Sequence, residues 1–180
     1  MGFFKKKTPP LPDDPMRLLQ MAQAEKDAAK NRAVRIITAS ALSEKKLAQR
    51  LREKGTSQQD AEETVRWLHE LHLTDDARTA EMLVDSAVRK GYGRRRIESI
   101  LFEKGIPEEI RDQALARIPV QDDAIDRYLH QKLDGKPLDE KLIKKTLDAL
   151  VRRGHDWESI KSALSRYREQ CDFPDPEDLE

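Results

Sequence analysis

The sequence predicts an all-α protein built as three tandem three-helix repeats in an elongated, curved array. Three observations carry this expectation. Apolar residues recur at helical spacing, and no stretch alternates as a half-buried strand would. Charged residues make up 38% of the 180-residue chain, against about 25% in an ordinary domain. A short block ending in glycine also returns fifty positions later.

The composition limits the architecture before any element is placed. Counted without tyrosine and with glycine, apolar residues reach about 39% of the chain, where a typical domain has 45–50%. That supports thin layers of amphipathic helices, each burying one stripe. It excludes a parallel-sheet enzyme, whose strands are apolar on both faces. No apolar run approaches the 18 residues of a membrane span. The start, Met1 to Lys7, has no apolar signal-peptide region, and Cys171 is the single cysteine, so a cytoplasmic protein is expected.

Proline and glycine punctuate the chain. Pro9, Pro10, Pro12 and Pro15 crowd the start and Pro174 and Pro176 the end, leaving only Pro107, Pro119 and Pro137 between. Residues 1–14 therefore read as a disordered arm and 170–180 as a disordered acidic tail. Between them, helices are expected at about 15–40, 44–54, 57–72, 75–90, 94–104, 108–117, 121–133, 139–153 and 157–169. Ser43, Ser57, Thr74 and Asp156 are the expected N-caps, able to accept from free backbone N–H groups. Pro107 suits a first helical position, and Gly55, Gly105 and Gly154 follow apolar-periodic runs, where a left-handed cap ends a helix.

The repeat is visible in the letters. Leu51-Arg52-Glu53-Lys54-Gly55 returns as Leu101-Phe102-Glu103-Lys104-Gly105, with Leu47 matching Ile97 and Val65 matching Leu115. A weaker third copy runs Leu150-Val151-Arg152-Arg153-Gly154, followed by Ile160 and Leu164. The expected repeats are 15–73, 74–119 and 120–169, each burying a small apolar face against its neighbours.

Candidate contact residues centre on Arg89-Lys90-Gly91-Tyr92-Gly93-Arg94-Arg95-Arg96, which holds five bases and no acid. Arg94, Arg95 and Arg96 fall in the first turn of a helix, where a cation costs about 0.3–1 kcal/mol. That placement points to a partner anion, either nucleic-acid phosphate or protein carboxylate; the alternative is a solvated helix start. With Ile97, Ile100 and Leu101 buried, Arg95, Ser99 and Phe102 share the outer face, setting an aromatic ring beside the basic turn. Lys141, Lys145 and Arg152 form a second basic face, interrupted by Asp148. Lys46, Arg50 and Lys54 form a third, with a plain solvated face as the alternative. Residues 1–168 carry a net charge of +6 and the last twelve none but acids.

Catalytic and metal readings fare poorly. His69-Glu70-Leu71-His72 places its histidines at i,i+3, one short of the zinc-protease spacing, and a helix-end pair is expected instead. Gly91-Tyr92-Gly93 joins two helices without the strand a dinucleotide fingerprint needs, and no phosphate-cradling loop exists. Asp75 and Asp76 are expected to cap a helix, and Trp67 and Trp157 to lie in the core. No enzyme, cofactor or metal is expected.

Thr74-Asp75-Asp76-Ala77-Arg78, then Gly91-Tyr92-Gly93-Arg94-Arg95-Arg96-Ile97, then Glu103-Lys104-Gly105-Ile106 resembles the signature of the RecX family of recombination regulators. The resemblance spans about residues 30–168 and takes in Ser43, Lys46-Leu47, Lys54-Gly55 and Arg152-Arg153-Gly154. Arg94 stands where the family has proline, Thr79 where it has an aromatic and His155 where it has phenylalanine. The resemblance implies a protein that binds the RecA recombinase filament on single-stranded DNA and inhibits its ATPase, strand exchange and co-protease activity; a monomer is expected. The residues alone leave two other classes open: a RecA-independent helical nucleic-acid-binding module, and a protein-interaction scaffold.

Overall fold

The computed structural model describes residues 14–118, 122–136 and 139–170, and among these it holds nine α-helices and no strand. They are α1 (Pro15–Ala39), α2 (Glu44–Glu53), α3 (Gln58–Glu70), α4 (Asp76–Arg89), α5 (Arg94–Glu103), α6 (Glu108–Ala116), α7 (Asp122–Leu133), α8 (Glu140–Arg152) and α9 (Trp157–Gln170). Of the expected arm at 1–14 and tail at 170–180, only Asp14, which caps α1, and Gln170, which ends α9, are described; the rest, with Pro119 and Pro137, lies outside the described residues.

The chain divides into two compact units, one of residues 1–40 and 44–74, the other of 41–43 and 75–180. In the first, α1, α2 and α3 pack mutually. Their buried stripes are Ala29, Ala33 and Ile36 from α1, Leu47 and Leu51 from α2, and Ala61, Thr64 and Leu68 from α3. The alanines let the axes approach closely, and the spacing of three and four is one helical face. Lys26 pairs with Glu63 at 2.8 Å, and this raises the Lys26 pKa while lowering that of Glu63, through their hydrogen bond first.

The second unit holds two three-helix bundles. In one, Ala80, Val84 and Ala87 of α4 meet Ile97 and Leu101 of α5, with Ile106, Ala114 and Leu115. In the other, Ile125, Leu129 and Leu133 of α7 meet Leu150 of α8 and Ile160, Ala163 and Tyr167 of α9. Tyr167 keeps its hydroxyl satisfied by donating to Asp134 at 2.9 Å, as a buried phenol must.

One helix ending recurs in all three bundles. Gly55, Gly105 and Gly154 take φ of 86°, 78° and 87°. The next residue then donates back to the matching leucine: Thr56 to Leu51 at 3.0 Å, Ile106 to Leu101 at 3.1 Å, and His155 to Leu150 at 3.3 Å. This double-bonded left-handed cap satisfies carbonyls that a helix end would otherwise orphan. Ser57 and Asp156 cap α3 and α9 as expected, by accepting from Asp60 and Ser159. At α4 the cap is Asp75 rather than Thr74: the Asp75 carboxylate accepts from the Arg78 N–H, while the Thr74 hydroxyl donates to Glu44. Pro107 sits one place before its helix, as the N-cap residue.

Candidate functional site

The turn that ends α4 is the centre of the second unit's geometry. Gly91, at φ 68°, donates to Val88 at 2.9 Å and Tyr92 to Ala87 at 3.0 Å, the same left-handed cap. This turn then locks against the one between α8 and α9. Gly93 N–H donates to the Arg153 carbonyl at 2.8 Å and Arg95 N–H to the Gly154 carbonyl at 3.1 Å. In return, the Arg153 guanidinium donates to the Lys90 carbonyl at 2.8 Å, and His155 Nε2–H to the Gly91 carbonyl at 3.1 Å. The Arg153 guanidinium also lies 4.7 Å from the centre of the Tyr128 ring and 5.9 Å from that of Tyr92, within reach of the attraction between a cation and a ring face. The two turns touch backbone to backbone. A Cβ on Gly93 would stand 2.4 Å from the Gly154 carbonyl group.

This joint gives the arginine-rich helix start an internal partner. The C-terminal end of α8, with its partial negative charge, abuts the N-terminal end of α5, and the match offsets the unfavourable placement of Arg94, Arg95 and Arg96. Arg94 sends its guanidinium to the Leu115 carbonyl at 2.7 Å, closing the end of α6, and Arg96 reaches Glu103 at 3.4 Å. Arg95 is exposed, and its guanidinium has no partner among the described residues. The backbone N–H groups of Gly93, Arg95, Arg96 and Ile97 are engaged at this helix start, so the contact chemistry left to an external anion is mainly that of side chains.

The other expected contact residues fall into two groups. Arg89 and Lys90 are exposed at the end of α4 and Tyr92 is half-buried in the joint. Phe102 is 70% exposed with Arg111 5.4 Å from its ring centre, and the Ser99 hydroxyl donates to the Arg95 carbonyl. The outer face of Arg95, Ser99 and Phe102 is thus as the periodicity predicts. Lys141, Lys145 and Arg152 stand exposed along α8, with Asp148 between them. No described contact joins these α8 bases to Phe102.

Two residues stand differently from the expectation. Trp157 is 53% exposed rather than in the core, because the tight cap at Gly154 turns the first residue of α9 outward; Trp67 is half-buried, with Lys30 4.9 Å from its ring centre. The functions of Arg153 and His155 in the joint were not legible, since their partners lie more than sixty residues away. His155 is 4% exposed, and burial holds its pKa below the ordinary value; the Arg153 charge adds to this, against the Gly91 hydrogen bond and Asp156. The neutral Nε2–H tautomer is therefore the form that fits. His69 pairs with Glu44 at 2.8 Å, and His72 takes the left-handed cap of α3 at φ 54°, a helix-end pair as expected.

The comparisons with known proteins agree along the chain. Family models described as the first and second three-helix domains of RecX match residues 29–68 and 75–115. The chain is 32% identical to the regulatory protein RecX of Cronobacter sakazakii over 149 residues, 76% of this chain and 90% of that one. It is also 32% identical to the regulatory protein RecX of Chlorobaculum tepidum over 147 residues, 80% of this chain and 91% of that one. Among solved structures, RecX from Lactobacillus salivarius superposes with a TM-score of 0.64 at 19% identity, covering 80% of this chain and 97% of that one.

Proposed function

The chain belongs to the RecX family, and on that premise we propose that it regulates the RecA recombinase by binding its filament on single-stranded DNA. In this reading it works by occupancy rather than by catalysis, in the cytoplasm. Bound along or at the end of the filament, it restrains ATP hydrolysis, strand exchange and co-protease activity. The observation that carries the reading is the relationship to proteins named as RecX regulators over three quarters of the chain. The chemistry of the second unit suits it: exposed Arg95, Phe102, Arg152, Lys141 and Lys145 offer cations unpaired among the described residues and an aromatic face, groups that take up phosphate and planar rings. The same groups favour a second reading, a helical nucleic-acid-binding module that needs no RecA. Co-sedimentation separates the two. The RecA reading expects this protein to pellet with nucleotide-loaded filaments at a salt concentration where it leaves bare single-stranded DNA in the supernatant. Equal partition to bare DNA favours the second reading.

A further inference from the structure

We propose that Trp157 is a stacking platform for a base of single-stranded nucleic acid, with Arg95, Arg152 and Lys161 holding the flanking phosphates. The proposal deepens the reading above by naming the ligand class and the residues of one contact. It starts from a placement that a folding account does not require. An indole at the first position of α9 is 53% exposed, while the bundle core beneath is filled by Leu150, Ile160 and Ala163.

The surroundings of the indole are cationic. Lys161 lies one turn further along α9 on the same face, exposed and without a partner among the described residues. Arg152 ends α8 five residues before Trp157 and is also exposed. Arg95 is brought to this turn from α5 by its backbone bond to Gly154, three residues before the indole, and its guanidinium is unpaired among the described residues. Lys141 and Lys145 continue the basic face along α8. Of the acids on these elements, Asp156 is engaged in capping α9, and Asp148, Glu158 and, one turn from Arg95, Glu98 are exposed.

That composition selects nucleic acid over protein. At the core of a protein interface charged residues as a class are depleted, lysine among them, although arginine is enriched, so Lys161, Lys141 and Lys145 are the residues that favour nucleic acid. Here Val151 is the one exposed large apolar residue of α8, while Arg152 and Lys161 lie within five residues of Trp157 and Arg95 is bonded to the turn before it. A single-stranded base needs only a π face, and its phosphates need flexible cations on either side.

The test uses Trp157 as its own reporter. In W67F protein Trp157 is the only indole, so its emission is followed during titration with oligo(dT) at low salt. The proposal expects saturable quenching. It also expects W157A to weaken oligo(dT) binding about 5- to 150-fold with an unchanged salt slope, while W157F retains most of the affinity. Substituting Arg152 and Lys161 by Gln should instead lower the slope by about 0.7 each. Unquenched emission at saturation, or wild-type affinity in W157A, overturns the platform. Loss of filament binding in W157A with oligo(dT) binding intact assigns the surface to a protein and overturns it too. Because the oligo(dT) arm contains no RecA, quenching there with no filament binding overturns the regulator reading and leaves the platform standing.

Discussion

Alanine at Gly93 tests whether the joint between the two turns holds the second and third bundles together. Gly93 has φ −77°, a conformation any residue adopts, so alanine adds no backbone penalty of its own. Its Cβ would nevertheless sit 2.4 Å from the Gly154 carbonyl carbon and oxygen and from the His155 nitrogen. These are backbone atoms and cannot swing aside, so the turns must separate. Separation weakens the Gly93 to Arg153 and Arg95 to Gly154 hydrogen bonds, each contributing about 0.5–1.5 kcal/mol, and adds overpacking of about 1–3 kcal/mol. The expected loss for G93A is about 2–4 kcal/mol on adding these contributions with partial relaxation. An internal control exists, since Gly55 and Gly154 share φ of 86° and 87°, yet Gly55 faces open space while Gly154 meets the Arg96 nitrogen at 2.2 Å. G55A should therefore lose only the left-handed penalty of about 1–2 kcal/mol, and G154A that penalty plus the clash. Urea unfolding followed by circular dichroism measures all three. A wild-type midpoint for G93A, or equal losses in G55A and G154A, would refute the joint.

Further outcomes follow from the same geometry. R94E should destabilise the fold by about 1 kcal/mol or more, since it removes the donor to the Leu115 carbonyl; R95E should leave the urea midpoint unchanged and lower the salt slope of single-strand binding by about 0.7. R153A should lower the midpoint more than R153K does, because only the planar guanidinium combines the bond to Lys90 with the face of Tyr128. His155 gives a pH signature. With its folded pKa below the 6.5 of a free imidazole, the unfolded chain takes the proton first. The stabilisation therefore stands in full above about pH 6.5 and is lost as pH falls below it. H155F should gain in melting temperature relative to wild type between pH 7.5 and pH 5; a constant difference would show that His155 does not titrate in the joint.

The helices were legible because local rules decide them. Apolar spacing, Ser57, Asp156 and the glycines at 55, 105 and 154 act within one turn of chain, and the structure starts and ends its helices within two residues of the expected places. Thr74 and Asp75 both carried a capping expectation, and Asp75 makes the bond because only the register of α4 chooses between two good N-caps. The candidate site was legible in part. Arg95 and Phe102 face outward as helical periodicity requires. What stayed hidden was every contact across long sequence separation: the carbonyls of Arg153 and Gly154 against α5, and Leu115 against Arg94. Charge counting alone made the arginine turn look unsatisfied, when two of its three side chains are engaged internally. Trp157 was misplaced for a related reason, since an aromatic in an apolar-poor chain reads as core until the turn before it is seen.

Steady-state ATP hydrolysis by RecA on circular single-stranded DNA tests the central claim most directly. Added to filaments, this protein should slow turnover well below one molecule per RecA monomer, because a blocked end or a bridge across protomers silences more subunits than it touches. The effect should persist when RecA is assembled on the DNA first. Inhibition that appears only once bare DNA is saturated, or no inhibition at any ratio by a folded protein, would contradict the account.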